Sequence, residues 1–196
     1  MRRLLAVLAL ATLPALDAAA SAAPLTYTVD KSHSNVDFQI RHFVTRVRGH
    51  FSEFSGSIVK DDETPANCSV VFEIQAASID TGNEKRDTHL RSADFFDAAT
   101  FPALKFASNG IEKLPDGTYR VTGNLTMHGV TRAVTLPVTF AGEMADERGR
   151  FHAGFSTAIT LDRKDFGINW NRVLDNGGAM LGDEVEVHID LEAVRA

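Results

Sequence analysis

Glu184-Val185-Glu186-Val187-His188-Ile189-Asp190-Leu191-Glu192 alternates polar and branched apolar residues without an exception. Side chains on a strand point to opposite faces with a period of two, so this stretch reads as a β-strand with one buried and one solvated face. A helix, with its period of 3.6, would scatter both classes around its circumference.

The same period recurs through the chain. Val36, Phe38, Ile40 and His42 alternate with Asn35, Asp37, Gln39 and Arg41, after a turn expected at Lys31-Ser32-His33-Ser34. Further inward rows are Cys68, Val70, Phe72, Ile74 and Ala76; Leu104, Phe106 and Ser108; and Tyr119, Val121, Gly123, Leu125 and Met127. Val134, Leu136, Val138 and Phe140, and then Phe151, Ala153, Phe155, Thr157, Ile159 and Leu161, complete the set. Phe51 and Phe54 break strict alternation, which predicts a bulge. Turns are expected at Pro115-Asp116-Gly117 and His128-Gly129, and a flexible connection at Asn176-Gly177-Gly178. About eight antiparallel strands joined by short turns fit either an all-β barrel or a two-sheet sandwich, because alternation alone does not distinguish closure from stacking.

Residues 78–102 depart from the pattern. Thr81 and Glu84 have the spacing of a capping box, which predicts a helix from near Gly82 that crosses the structure at about residues 82–97. Leu90 is its one apolar anchor among Glu84, Lys85, Arg86, Asp87, His89 and Arg91, so Phe95, Phe96 and Phe101 must hold it down. A second irregular crossing, residues 163–182, carries Phe166 and Trp170.

Met1-Arg2-Arg3, an apolar run to Leu16 and small residues before Ala23 read as a secretory signal peptide over residues 1–22, leaving one domain over residues 23–196. The formal charge of the whole chain is -6, and loss of Arg2, Arg3 and Asp17 makes it one unit more negative. That acidity argues against nucleic acid and anionic membrane as partners. No later stretch is apolar enough to span a bilayer, so no permanent membrane anchor is expected, and homodimerisation is left open. Cys68 is the only cysteine, so no internal disulfide forms.

The seven histidines show no short ligand spacing, and no metal site is expected. His42, in phase with Val36, Phe38 and Ile40, points inward, either as a satisfied core group or as a donor to a ligand head. Arg86, Asp87, His89, Arg163 and Asp165 read as ion pairs and caps that fix the two crossings. Gly123, Ala76, Ala153 and Ser108 put small residues on inward positions, where they leave room for a cavity as an alternative to a packed core.

Arg86-Asp87-x-His89-Leu90, Asp94-Phe95-Phe96-Asp97 and Phe101-Pro102 resemble the central signature of the YceI-like family. So do Asp30-x-x-His33-Ser34, Gly123-x-Leu125-x-x-x-Gly129-Val130-Thr131 and Arg163-x-Asp165-Phe166-Gly167. The resemblance implies an eight-stranded lipocalin-like barrel in the periplasm that holds an isoprenoid quinone, a polyprenyl lipid or a similar amphiphile, with no covalent cofactor and no catalysis. The ligand-facing set is then Phe38, Ile40, His42, Phe72, Ile74, Phe106, Leu125, Met127, Phe155 and Ile159 from the strands, with Phe95, Phe96, Phe166 and Trp170 from the crossings. His33, Arg86, Asp87, His89, Leu90, Gly123, Gly129, Arg163, Asp165 and Gly167 are structural. The alternative is a small periplasmic hydrolase or isomerase at a barrel mouth, with His42 or His89 as base, which requires an imidazole and a carboxylate converging on an open pocket.

Overall fold

The computed structural model describes residues 23–61, 63–172 and 179–196. The expected signal peptide and the Asn176-Gly177-Gly178 connection lie outside the described residues. The elements in order are β1 (Leu25–His42), β2 (Thr45–Phe51), β3 (Phe54–Lys60), β4 (Ser69–Gln75), β5 (Ile79–Asp80), α1 (Glu84–Arg91), β6 (Ala103–Lys113), β7 (Tyr119–Met127), β8 (Val130–Ala145), β9 (Phe151–Asp162) and β10 (Leu181–Arg195).

These ten segments make eight staves, because β2 and β3 form one stave kinked at Ser52-Glu53, and β5 prolongs β4 past a 3-10 turn. Each stave pairs antiparallel with its sequence neighbour. β10 then returns to β1, from Tyr27 opposite Arg195 to His42 opposite Leu181, and closes the barrel. Closure rules out the sandwich and leaves no long unpaired edge.

Two local expectations are corrected. Residues 31–34 make no chain-reversing turn; they are a bulge inside one 18-residue strand, with four residues of β1 opposite Leu191 of β10. Phe51 and Phe54 are both buried, but the irregularity between them is the Ser52-Glu53 break rather than a bulge within a ladder. The two features meet where Lys31 Nζ pairs with Glu53 at 2.8 Å.

The inward rows form the core: Val36, Phe72, Leu104, Phe106, Val121 and Met127 are buried, while Val71 on the outer face of β4 is exposed. Small residues in these rows do not open space. A Cβ on Gly123 would lie 2.5 Å from both the Ala107 carbonyl oxygen and Phe106 Cζ, so the room is filled by the Phe106 ring. Ala76 is fully buried, and its N–H donates to Pro102 O at 2.8 Å.

Helix α1 begins later than the capping box predicts. Asn83 is the cap, its side chain accepting from Arg86 N at 3.1 Å, because Gly82 at φ 72° turns the chain between Thr81 and the helix. Thr81 is used otherwise: its N–H and hydroxyl both donate to Asp87 Oδ1, at 3.0 and 2.5 Å. Arg86 in turn donates from Nε to Thr81 Oγ1 at 2.6 Å and from Nη2 to Thr81 O at 2.8 Å. The expected aromatic foot is present. Phe95 is buried, Phe96 meets Phe51 edge-on at 5.8 Å, and Phe101 lies against His128 at 5.0 Å.

Candidate ligand cavity

The closed barrel surrounds a cavity of about 420 Å³, within the range of small-molecule sites. A smaller compartment of about 130 Å³ lies toward the other end of the barrel. Phe72, Phe106, Leu136 and Ile189 line both and form a waist between them.

Each wall follows from an inward row. β1 contributes Phe38 and Ile40; β4 contributes Phe72 and Ile74; β7 contributes Leu125 and Met127; Phe106 and Ile159 come from β6 and β9. The crossings close one end with Leu90, Phe95 and Phe96 after and within α1, and with Ile168 and Trp170 after β9. Polar side chains reach the wall at this same end: Thr81, Lys85, Arg86 and His89 around α1, His42 at the last residue of β1, and Arg163 just after β9. Asp37 also borders the cavity, but it is exposed and alternates outward on β1.

Of the residues expected to meet a ligand, two are placed differently. Phe155 lines the smaller compartment, where it packs with Tyr27 and Phe140. Phe166 is buried but lines neither compartment; its carbonyl accepts from His128 Nδ1 at 3.1 Å. In the sequence Lys85 reads only as helix polarity, and Ile168 and Met180, which also form the wall, carry no periodic signal.

The expected structural residues form clasps around the mouth. Arg163 is buried and donates to Gly182 O at 2.9 Å, Ile168 O at 2.7 Å and Trp170 O at 2.8 Å, stitching the second crossing to β10. Its carboxylate partner is Asp183 at 3.1 Å, whereas Asp165, two residues along in the same motif, is exposed. Lys164 donates to the same Asp183, and with Arg163 it holds that carboxyl below its ordinary value. Gly129, at φ 74°, passes beneath Phe101, where a Cβ would come within 2.6 Å of the ring. Gly167 ends the 3-10 turn of the second crossing at φ 78°.

His89 joins the two crossings. Its Nε2 lies 2.7 Å from Asp94 Oδ2, and its ring meets Phe95 and Trp170 edge-on at 5.0 and 4.9 Å. His42 packs its ring on Phe43 at 4.8 Å and has no carboxylate partner among the described residues. Of the two histidines that the hydrolase or isomerase alternative needs as base, His89 thus borders the cavity and has a carboxylate partner, although Asp94 itself does not line the wall, and no described serine, threonine or cysteine hydrogen-bonds to either imidazole.

The profile of the YceI-like domain matches residues 27–193. A UPF0312 protein of Pseudomonas putida is 35% identical over 198 residues, covering 100% of this chain and 98% of its own. Among solved structures, BcnA of Burkholderia cenocepacia is 29% identical with a TM-score of 0.74, covering 84% of this chain and 98% of its own. The YCEI protein of Campylobacter jejuni is 30% identical with a TM-score of 0.66 over 85% of this chain and 96% of its own. A polyisoprenoid binding domain from Saccharophagus degradans shares the fold at 17% identity and a TM-score of 0.63, covering 88% of this chain and 99% of its own. The barrel order, the clasped crossings and these matches agree: the chain belongs to the YceI-like family.

Proposed function

We propose that the protein holds the apolar chain of one amphiphile in the barrel, with the polar head at the mouth covered by α1 and the second crossing. The observation that carries this reading is a cavity walled by aliphatic and aromatic side chains whose inward polar groups gather at one end. Such a cavity matches an elongated molecule that is apolar along its length and polar at one terminus. Burying ten methylene equivalents contributes about 8 kcal/mol gross, equivalent to about micromolar affinity before ordering costs.

The head group meets Lys85, His42 and His89. Lys85 forms no ion pair with any described residue, so its ammonium can meet a phosphate, a carboxylate or a ring carbonyl. An isoprenoid quinone or polyprenyl lipid is the class proposed, in line with the polyisoprenoid binding of the Saccharophagus degradans relative. A long prenyl tail passes the waist at Phe72 and Phe106 to reach the smaller compartment. The protein acts by binding rather than catalysis, in the periplasm, after removal of residues 1–22.

Displacement of a long-chain fluorescent probe by a quinone or polyprenyl phosphate tests this. Ile159→Trp, which fills the cavity from a half-buried wall position, lowers probe capacity severalfold while the protein stays folded. Equal capacity in Ile159→Trp and the parent protein would place the probe outside the barrel.

A further inference from the structure

The Asp30-x-x-His33-Ser34 motif lies away from the cavity, on the outer wall toward the opposite end of the barrel, and lipid binding does not account for it. The bulge at residues 31–34 swings His33 back over β1, so that Nδ1 lies 3.0 Å from Asp30 Oδ2. The same nitrogen lies 3.9 Å from Glu192 Oε1 on β10. One ligand atom from each of Asp30, His33 and Glu192 falls within 4.8 Å of the other two. Tetrahedral zinc with nitrogen and oxygen ligands at about 2.0–2.2 Å puts its ligand atoms about 3.3 Å apart. The three groups therefore need only small side-chain movements to meet around one ion.

The backbone beneath them is fixed. Ser34 is buried, and its hydroxyl donates to Asp30 O at 2.7 Å while accepting from Glu192 N at 3.0 Å, which staples the bulge to β10 at the residue that supplies the third ligand. Asp30 Oδ1 accepts from Ser32 N at 2.9 Å, leaving Oδ2 for the imidazole edge. Behind Glu192 stands a second histidine: His152 Nδ1 is 2.7 Å from Glu192 Oε1, and its Nε2 is 3.3 Å from Asp146 Oδ2. Asp146 is itself held by the Arg148 and Arg150 amides, both at 2.9 Å. This carboxylate, imidazole, carboxylate relay is how proteins orient a metal-binding group from behind.

We infer that Asp30, His33 and Glu192 bind a divalent transition cation of the zinc type, with His152 as a positioning residue behind Glu192. One imidazole and two carboxylates suit a borderline cation with water in the remaining position. The nearby cations are already engaged, Lys31 by Glu53 and Arg150 by Asp146, and so do not occupy the site. The ion would pin β1 to β10 across the bulge, where the ladder between those strands is interrupted.

Calorimetric titration of the purified, chelator-treated protein with zinc alone tests the assignment. One zinc binds per chain; His33→Ala and Glu192→Gln each remove that binding, and His152→Ala weakens it about 10–100-fold. His188→Ala, on the outer face of β10, leaves it unchanged. Melting in chelator confirms that the variants are folded, since His33 is mostly exposed. Absence of zinc uptake, uptake that survives His33→Ala, or several equal weak sites would each overturn the assignment, and none of these results bears on the lipid reading.

Discussion

Arg163 and Lys164 contact the same carboxylate, Asp183, yet they differ in what they hold. Arg163 is buried and satisfies three backbone carbonyls in addition to the carboxylate, whereas Lys164 is exposed and its ammonium pairs with Asp183. Removing a buried charged partner leaves those oxygens unpaired and costs about 3–5 kcal/mol, while an exposed pair contributes about 0–1 kcal/mol. Denaturant titration should therefore show Arg163→Ala far less stable than Lys164→Ala; equal losses would mean that the clasp is not a determinant of the second crossing. The shared carboxylate has a pH signature. Its folded pKa lies below the ordinary 3.8, so its stabilisation is complete above that value and is lost as pH falls through the lower, folded value. The stability gap between the parent protein and Asp183→Asn stays constant from neutral pH down to about 4 and shrinks only in stronger acid; a gap that closes between pH 7 and 5 would contradict the pairing.

Helix α1 shows how much of an element was readable from its residues. Its existence, its lack of an apolar stripe and the aromatic residues packed after it are legible in composition and spacing. Its cap is not, because Thr81 and Asn83 are both good caps and the choice rests on Gly82 and on Asp87 drawing Thr81 beneath the helix. Arg163 stands out in its motif, but its partner is not legible there, since Asp183 comes beside it only through the β9–β10 pairing, 20 residues along the chain. The anchoring implies an asymmetry: Phe95→Ala, at a buried position, costs about 3–5 kcal/mol, and Lys85→Ala costs less than about 0.5 kcal/mol while weakening binding of an anionic amphiphile. As the end wall of the cavity, α1 and the turns after it should gain amide protection when lipid is bound. Hydrogen exchange over residues 83–101 that is identical in lipid-free and loaded protein would leave the clasp but remove the lid.

Closure into a barrel was open in the sequence and is decided by one pairing, β10 on β1, which joins segments about 150 residues apart and leaves no local trace. The inward rows were legible because strand periodicity is local; the distinction between a filled and a hollow interior was not. Gly123 illustrates why. Its missing side chain looks like free space in the sequence and is filled in the fold by Phe106. Gly123→Trp should therefore unfold the protein, whereas Ile159→Trp should spare the fold and fill the cavity, an order that thermal melting checks directly. The central claim is that this hollow carries a lipid chain, and native mass spectrometry of protein purified from an exporting host tests it most directly. The account predicts one co-purified amphiphile per barrel, released by solvent extraction and reduced in Ile159→Trp; a homogeneous ligand-free mass under gentle conditions, with no lipid in the extract, would contradict it.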